Sequence, residues 1–263
     1  MKHYITLLSL LMVTLGFAQE DPVAIIKSMN ALKKQTITQM QANTDKTKND
    51  VLYDKFKKEV EEKLFMIGDP EFPSFKPYIK KDGRFTADFQ KLLNNSGLED
   101  AWNEGFAGFH FKQGYLAKTF RNYLSEEYLL YLKIDDIHPF GWDTFGEILL
   151  NECNFIKKYP NSRKIKEVKL CYVDDLMAFI FGVDNYSSFE YPESREIMKK
   201  FVRKNPQALV TPLIKLFLEN TKINKLGFIE YKDPNKDTYE LIDTELKKQL
   251  GVKDISELSE SYE

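Results

Sequence analysis

Apolar residues recur along this chain at intervals of three and four, the spacing of one helix face, far more often than they alternate. Between residues 22 and 40, Val23, Ile26, Met29, Leu32 and Ile37 fall near one side. Between 47 and 66, Val51, Leu52, Phe56, Val60, Leu64 and Phe65 do the same, opposite a face of Lys and Glu. Both stretches predict amphipathic helices. Gly68-Asp-Pro-Glu-Phe-Pro-Ser-Phe-Lys-Pro77 then places Pro70, Pro73 and Pro77 close together, which ends regular structure. It predicts a boundary between an N-terminal helical pair, 19–67, and a main helical domain, 78–251.

Within the main domain, a short helix is expected up to Asn95-Ser-Gly97 and a longer one over 115–134. Asp143 is placed to cap a helix running to Tyr159, and Ser162 to cap one running to Phe181, where Gly182 stops it. A further pair is predicted over 192–204, beginning at Pro192, and 208–219. A last helix over 236–250 stops at Gly251, and the acidic residues 252–263 read as a frayed tail. The fold class that follows is all-α, built from stacked antiparallel helix hairpins.

One stretch breaks the helical period. In Trp102-Asn-Glu-Gly-Phe-Ala-Gly-Phe-His-Phe111, Phe109 and Phe111 alternate about His110, with glycines at 105 and 108. Alternation with Gly breaks predicts a small irregular or β insert near 102–112. Its aromatics either plug the end of a helical layer or line a groove. Trp102, Glu104, Phe106, Phe109 and His110 are therefore the candidate ligand-binding residues. A carboxyl at Glu104, set between Trp102 and Phe106, is also placed to have a raised pKa, as a general acid acting on a glycan or peptide would need.

The second half contains an internal echo. Phe155-Ile-Lys-Lys-Tyr-Pro-Asn-Ser162 is matched 46 residues later by Phe201-Val-Arg-Lys-Asn-Pro-Gln-Ala208, and Val168-Lys-Leu-Cys-Tyr172 falls on Ile214-Lys-Leu-Phe-Leu218. Two unrelated hairpins with a common turn, or a repeated helix pair, both give this pattern. The helix–Tyr-Pro-Asn-Ser–helix stretch resembles the inter-helix turn of tetratricopeptide-like repeat proteins. The whole chain resembles exported helical proteins of Gram-negative bacteria that have no assigned activity. The likeness covers about 70 residues by its turn, and departs from tetratricopeptide repeats in its period and in lacking their Trp/Leu/Gly/Tyr pattern. It implies an architecture of helix hairpins and names no partner.

The first eighteen residues add an address. Lys2 and His3 precede an apolar run to Leu15, and Gly16-Phe-Ala18 sets small side chains at the −3 and −1 positions of a cleavage site. The run is too short to span a bilayer, and Gln19 rather than Cys follows it. The expectation is signal peptide 1–18 and an exported protein, periplasmic or secreted, with no transmembrane segment after signal removal. Charge removes one class of partner. The chain has 38 basic and 40 acidic residues, interspersed, so there is no basic surplus for nucleic acid. Its two cysteines, Cys153 and Cys171, lie nine residues either side of Ser162. In an exported hairpin this makes them a candidate disulfide, with two thiols as the alternative.

Motifs for chemistry are sparse. There is no His-Glu-x-x-His, no Gly-x-Ser-x-Gly, no Ser-x-x-Lys and no phosphate-binding glycine loop. Asp233–Asp237 lacks the Gly and Glu of a calcium loop and reads as a turn and helix cap. Asp135, Asp136, His138 and Asp143 are weak metal-ligand candidates, since the first two end a helix and the last caps one. Asp174 and Asp175, adjacent on a helix, point about 100° apart and read as a solvated face. No cofactor is expected. The favoured function is an exported, non-catalytic binding or scaffold protein for a protein, peptide or glycan ligand. The alternative is an exported hydrolase of cell-wall glycan or peptide, using Glu104, His110 and the Asp135–Asp143 loop.

Overall fold

The computed structural model describes residues 21–67, 73–103, 106–135, 142–183 and 186–259; of Ala101–Ala107, Asp135, Asp143 and Tyr186 it describes at most the backbone. Residues 1–18, read from the sequence as a signal peptide, lie outside this range. The chain is mostly α-helical, as the hydrophobic period predicts, with small two-stranded antiparallel ribbons. It divides into two compact units, 1–125 and 126–263.

In the first unit, α1 (Pro22–Gln41) and α2 (Lys46–Ile67) pack as a pair. Pro22 enters the first turn without losing a bond, and the Asp21 carboxylate accepts from the Val23 N–H at 3.1 Å. A 3-10 turn (Pro73–Tyr78) leads to α3 (Ala87–Ser96), whose Thr86 hydroxyl caps the Phe89 N–H. Then come β1 (Leu98–Asn103), β2 (Phe106–Phe111) and α4 (Tyr115–Phe120). Side chains from before and after the proline-rich stretch meet. Tyr53 on α2 meets Phe120 edge-on at 5.0 Å, Asn30 on α1 bonds Ser96, and the Lys33 ammonium donates to the Tyr115 hydroxyl at 2.6 Å. The helical pair and the segment to residue 125 thus share one core. Each fully buried Ile or Phe in it contributes about 1.5–3 kcal/mol.

The helix expected over 115–134 is two helices. It breaks at 121–125 because buried side chains of α2 take backbone groups there. Asn49 donates to the carbonyls of Met40, Asn43 and Tyr123, and the buried Asp50 carboxylate accepts from the Ser125 N–H at 3.0 Å and its hydroxyl at 2.6 Å. Backbone groups engaged this way do not continue an i to i−4 ladder.

The second unit comprises α5 (Glu126–Asp135), α6 (Trp142–Lys158), α7 (Ile165–Phe181), α8 (Pro192–Lys204), α9 (Thr211–Asn220) and α10 (Thr238–Leu250). Short ribbons interrupt them: β3 (Gly182–Val183) with β4 (Tyr186–Ser187), and β5 (Thr221–Ile223) with β6 (Ile229–Tyr231). Sequence periodicity missed both, since strands of two or three residues leave no alternation to read. Leu149, Tyr172, Leu176, Phe179, Met198, Leu213, Phe217, Ile242 and Leu246 form the core. Asp143 lies inside α6 rather than before it. Ser162 caps nothing by itself; it accepts from the Lys164 N–H and donates to Glu127, tying α5 to the turn. Asp237 is the cap expected, accepting from Glu240 N–H at 3.0 Å. The expected frayed tail is ordered as far as Ser259. Asp254 and Glu257 form a reciprocal capping box around a 3-10 turn, and Leu258 is buried in the core.

The 46-residue echo is reproduced bond for bond at the turns. Tyr159, Ser162, Ile165 and Val168 N–H groups donate to the carbonyls of Phe155, Tyr159, Ser162 and Lys164. Asn205, Ala208, Thr211 and Ile214 donate to Phe201, Asn205, Ala208 and Val210 in the same order. α6 and α8 end at matched residues, Lys158 and Lys204, and α7 and α9 begin at matched residues, Ile165 and Thr211.

Candidate functional site

The aromatic insert is a ribbon. β1 and β2 pair in register with Glu99 opposite His110, Asp100 opposite Phe109 and Trp102 opposite Ala107. The pleat sends Phe109 to one face, where it stacks on Phe75 at 5.7 Å and meets Phe89 and Phe85. Phe109 is buried, its ring covered by the aromatic side chains of α3 and the 3-10 turn. His110 points the other way, half-exposed, with Nε2 at 3.2 Å from the Glu99 carboxylate. Phe111 stacks on the Tyr115 ring. The ribbon places Trp102 and Phe106 only by backbone, and Glu104 lies outside the described residues, as do Asp136 and His138. Asp135 and Asp143 are placed by backbone, at the end of α5 and in the first turn of α6. Among the described residues, no three His, Cys, Asp or Glu side chains gather as metal ligands.

Of the two alternatives for Cys153 and Cys171, the structure has the thiols and not the bridge. On α7 it is Tyr172, one residue on, that occupies the seam facing Cys153, in step with the buried Val168 and Leu176. The Cys153 thiol is turned toward the backbone of Leu209 and Val210, and burial pushes its pKa up to about 12. Equal distance from the turn set the height of the two cysteines, but not their rotation about the helix axes.

A cleft of about 400 Å³ opens in the second unit, where α6 passes α8. Gly146 allows the close pass. A Cβ there would sit 3.1 Å from the Phe201 ring, a tight contact that would push the ring back by a few tenths of an ångström. Trp142 forms one wall; its indole N–H donates to the Phe179 carbonyl at 3.1 Å, and its ring leans on Tyr191. Phe179, Phe201, Leu150 and Ile197 supply the apolar floor. Lys200 and Lys204, one helical turn apart and both exposed, stand on the rim with Asn205, and Glu147 stands on α6. The arrangement suits a ligand with an apolar body and an anionic group. It contains no nucleophile–base pair. A glycine inside the otherwise apolar face of α6 was the one sequence signal that pointed here.

A second polar feature lies between α6 and α7. Glu152 has no exposed surface, and neither of its oxygens has a donor. Asp175, half-buried on α7, presses its carboxyl against it, with Asp174 beyond. Burial, first, and then these two charges push the Glu152 pKa up to about 10; burial also raises that of Asp175. A proton on Glu152 supplies the donor that two carboxylates lack. Asp174 is exposed, as a solvated face predicts, but Asp175 is not part of that face.

Comparison of the chain with known protein families, curated proteins and solved structures finds no match.

Proposed function

We propose that the chain is an exported, non-catalytic binding protein, and that the α6–α8 cleft seats its ligand. The observation that carries this reading is the cleft's composition: an aromatic and aliphatic floor under a rim bearing Lys200 and Lys204. Two cations one turn apart attract an anionic group, while the floor removes apolar surface from water. A peptide ending in an aromatic residue with a free carboxylate has both parts. The hairpin resemblance and the apolar leader 1–18 support the export and scaffold parts of the proposal.

The hydrolase alternative centres on Glu104, His110 and the Asp135–Asp143 loop, and Glu104 and His138, which would form its catalytic pair, lie outside the described residues. Glu152 and Asp175 do not supply such a pair, since a substrate has no path to a side chain without exposed surface.

The test is a calorimetric titration of peptides with and without a C-terminal aromatic carboxylate. Saturable binding that weakens at least tenfold in Lys200→Glu/Lys204→Glu, with the melting temperature held, supports the cleft. Binding that the double variant leaves unchanged, or that ignores the carboxylate, overturns it.

A further inference from the structure

The loop joining β5 to β6 presents apolar side chains to solvent in a fixed conformation. Leu226 is 81% exposed, and Ile223, Phe228 and Tyr231 on the same ribbon are exposed as well. An unpinned loop would fold such groups inward or let them wander. Here Asn224 prevents both. Its side-chain oxygen accepts from the Leu226 and Phe228 N–H groups at 2.9 and 3.0 Å, its own N–H donates to the Phe228 carbonyl at 2.8 Å, and its carbonyl accepts from Gly227. Gly227, at φ +90°, takes a conformation other residues rarely adopt. The tip is thus built to hold Leu226 outward.

The ribbon stands on a chain of rings. Tyr231 meets Phe189 at 5.2 Å, Phe189 and Phe181 each meet the buried Phe217, and Phe181 meets the exposed Tyr239 at 5.6 Å. The Ile229 N–H also donates to the Phe189 carbonyl at 2.9 Å, fixing β6 to the segment before α8. The exposed apolar surface is therefore rigidly mounted. Two tyrosines, Tyr231 and Tyr239, flank it with one polar end each. Between Thr221 and Lys232, Lys222, Lys225 and Lys232 stand against Glu230, which Lys222 engages at 3.2 Å; Asp233 follows, and the Lys232 ammonium donates to the Glu219 carbonyl, which leaves Lys225 at the tip as the cation nearest Leu226 in the chain.

We propose that the β5–β6 tip seats in the interfacial layer of an anionic lipid bilayer, with Leu226 and Phe228 below the headgroups and Lys225 among them. A protruding tip with an aliphatic apex offers no groove for a helix or strand. A cation beside an apolar point matches an apolar interior behind a negative surface. Tyrosines suit the boundary between the two. Among the described residues no helix is long and apolar enough to cross a membrane, so the contact is one of surface insertion.

The experiment is sedimentation with vesicles of phosphatidylglycerol and phosphatidylcholine, against phosphatidylcholine alone. Hydrogen exchange of the tip amides is read on the same samples, because the leader 1–18 is itself apolar and a local readout excludes it. Binding to the anionic vesicles is expected, with protection of residues 224–228. Leu226→Glu should weaken it roughly tenfold or more, given the transfer of one leucine side chain, and Lys225→Glu should weaken it and reduce its salt dependence. Melting temperatures should be unchanged, since both side chains are exposed. No binding by the native chain, binding without tip protection, or binding indifferent to Leu226→Glu overturns the proposal. So does self-association that Leu226→Glu abolishes while lipid has no effect, which would assign the tip to a second copy of the chain.

Discussion

Glu152, wholly buried on α6, lies beside Asp175 of α7, and its burial first and the two neighbouring aspartates next favour a proton on its carboxyl. The sign of its pH dependence follows. Folding raises the Glu152 pKa from 4.5 to about 10. Its contribution to stability is therefore complete below 4.5 and is lost as pH rises through that window. At neutral pH the protein carries the cost of holding a proton that the unfolded chain would release, about 1.4 kcal/mol per pH unit at most. Glu152→Gln keeps a donor toward Asp175 without that cost. It should be more stable than the native chain at neutral pH, by about 1–3 kcal/mol, with the gain vanishing near pH 4.5 and growing into the alkaline range. Urea unfolding of both chains across pH measures this; a gain independent of pH would show that Glu152 does not titrate there.

The orientation of the cysteines gives a count. Thiol labelling of the protein in denaturant, without reductant, should find two sulfhydryls. In the folded protein Cys153 should react slowly, because burial both hides it and keeps it protonated. Labelling that found none would mean that α7 rotates to bring Cys171 into the seam.

At the end of α3, Gly97 adopts φ +75°, and a Cβ would fall 2.3 Å from the Tyr115 ring. Gly97→Ala must move that ring off Phe111 and away from Lys33, besides straining the backbone. The expected loss is about 2 kcal/mol or more by urea titration. Gly83→Ala serves as the control: it shares a positive φ but has open space around it, so it should lose about 1 kcal/mol.

Asn49 is a single amide serving three carbonyls, and Asn43 donates in turn to its oxygen at 3.1 Å. Asn49→Leu leaves those carbonyls without this donor in a buried place. It should cost about 2–4 kcal/mol and speed hydrogen exchange at the end of α1 and in residues 121–125 together. Exchange confined to one of the two segments would separate what the side chain is expected to join.

The helices were legible because their apolar spacing is local: α1, α2 and α8 fall within a residue or two of the predicted spans. What depends on side chains arriving from afar was not. The break at 121–125 is made by Asn49 and Asp50, some seventy residues earlier. In sequence Asp175 adjoins Asp174, while the acid it meets in the fold, Glu152, sits on another helix and reads in sequence as one more acid. Phe109 illustrates the reverse. Its alternation with His110 predicts an irregular or β insert, and the structure has a β ribbon there, but a period of two does not say which face meets Phe75 and which meets water. The cleft was missed because it arises from two helices at a glycine, and its rim lysines resemble the many other exposed lysines of the chain.

The matched turns at 155–168 and 201–214 bear on how the chain finds its fold. Each closes on bonds spanning four residues or fewer, so both helix pairs can form early and independently. Two pairs with one turn geometry are also rivals near the turn, where Phe155 and Ile156 of α6 fall on Phe201 and Val202 of α8. The residue of α8 that falls 46 after Glu152 is Met198, a buried thioether with no proton to give. An interloping α8 would set it against Asp175 and leave a half-buried carboxylate unanswered. The acid pair that weakens the finished protein thus helps to tell the right partner from the wrong one. Glu152→Met should accordingly yield less correctly assembled monomer on dilution from urea than Glu152→Gln does, a difference that gel filtration of the refolded chains would reveal or refute.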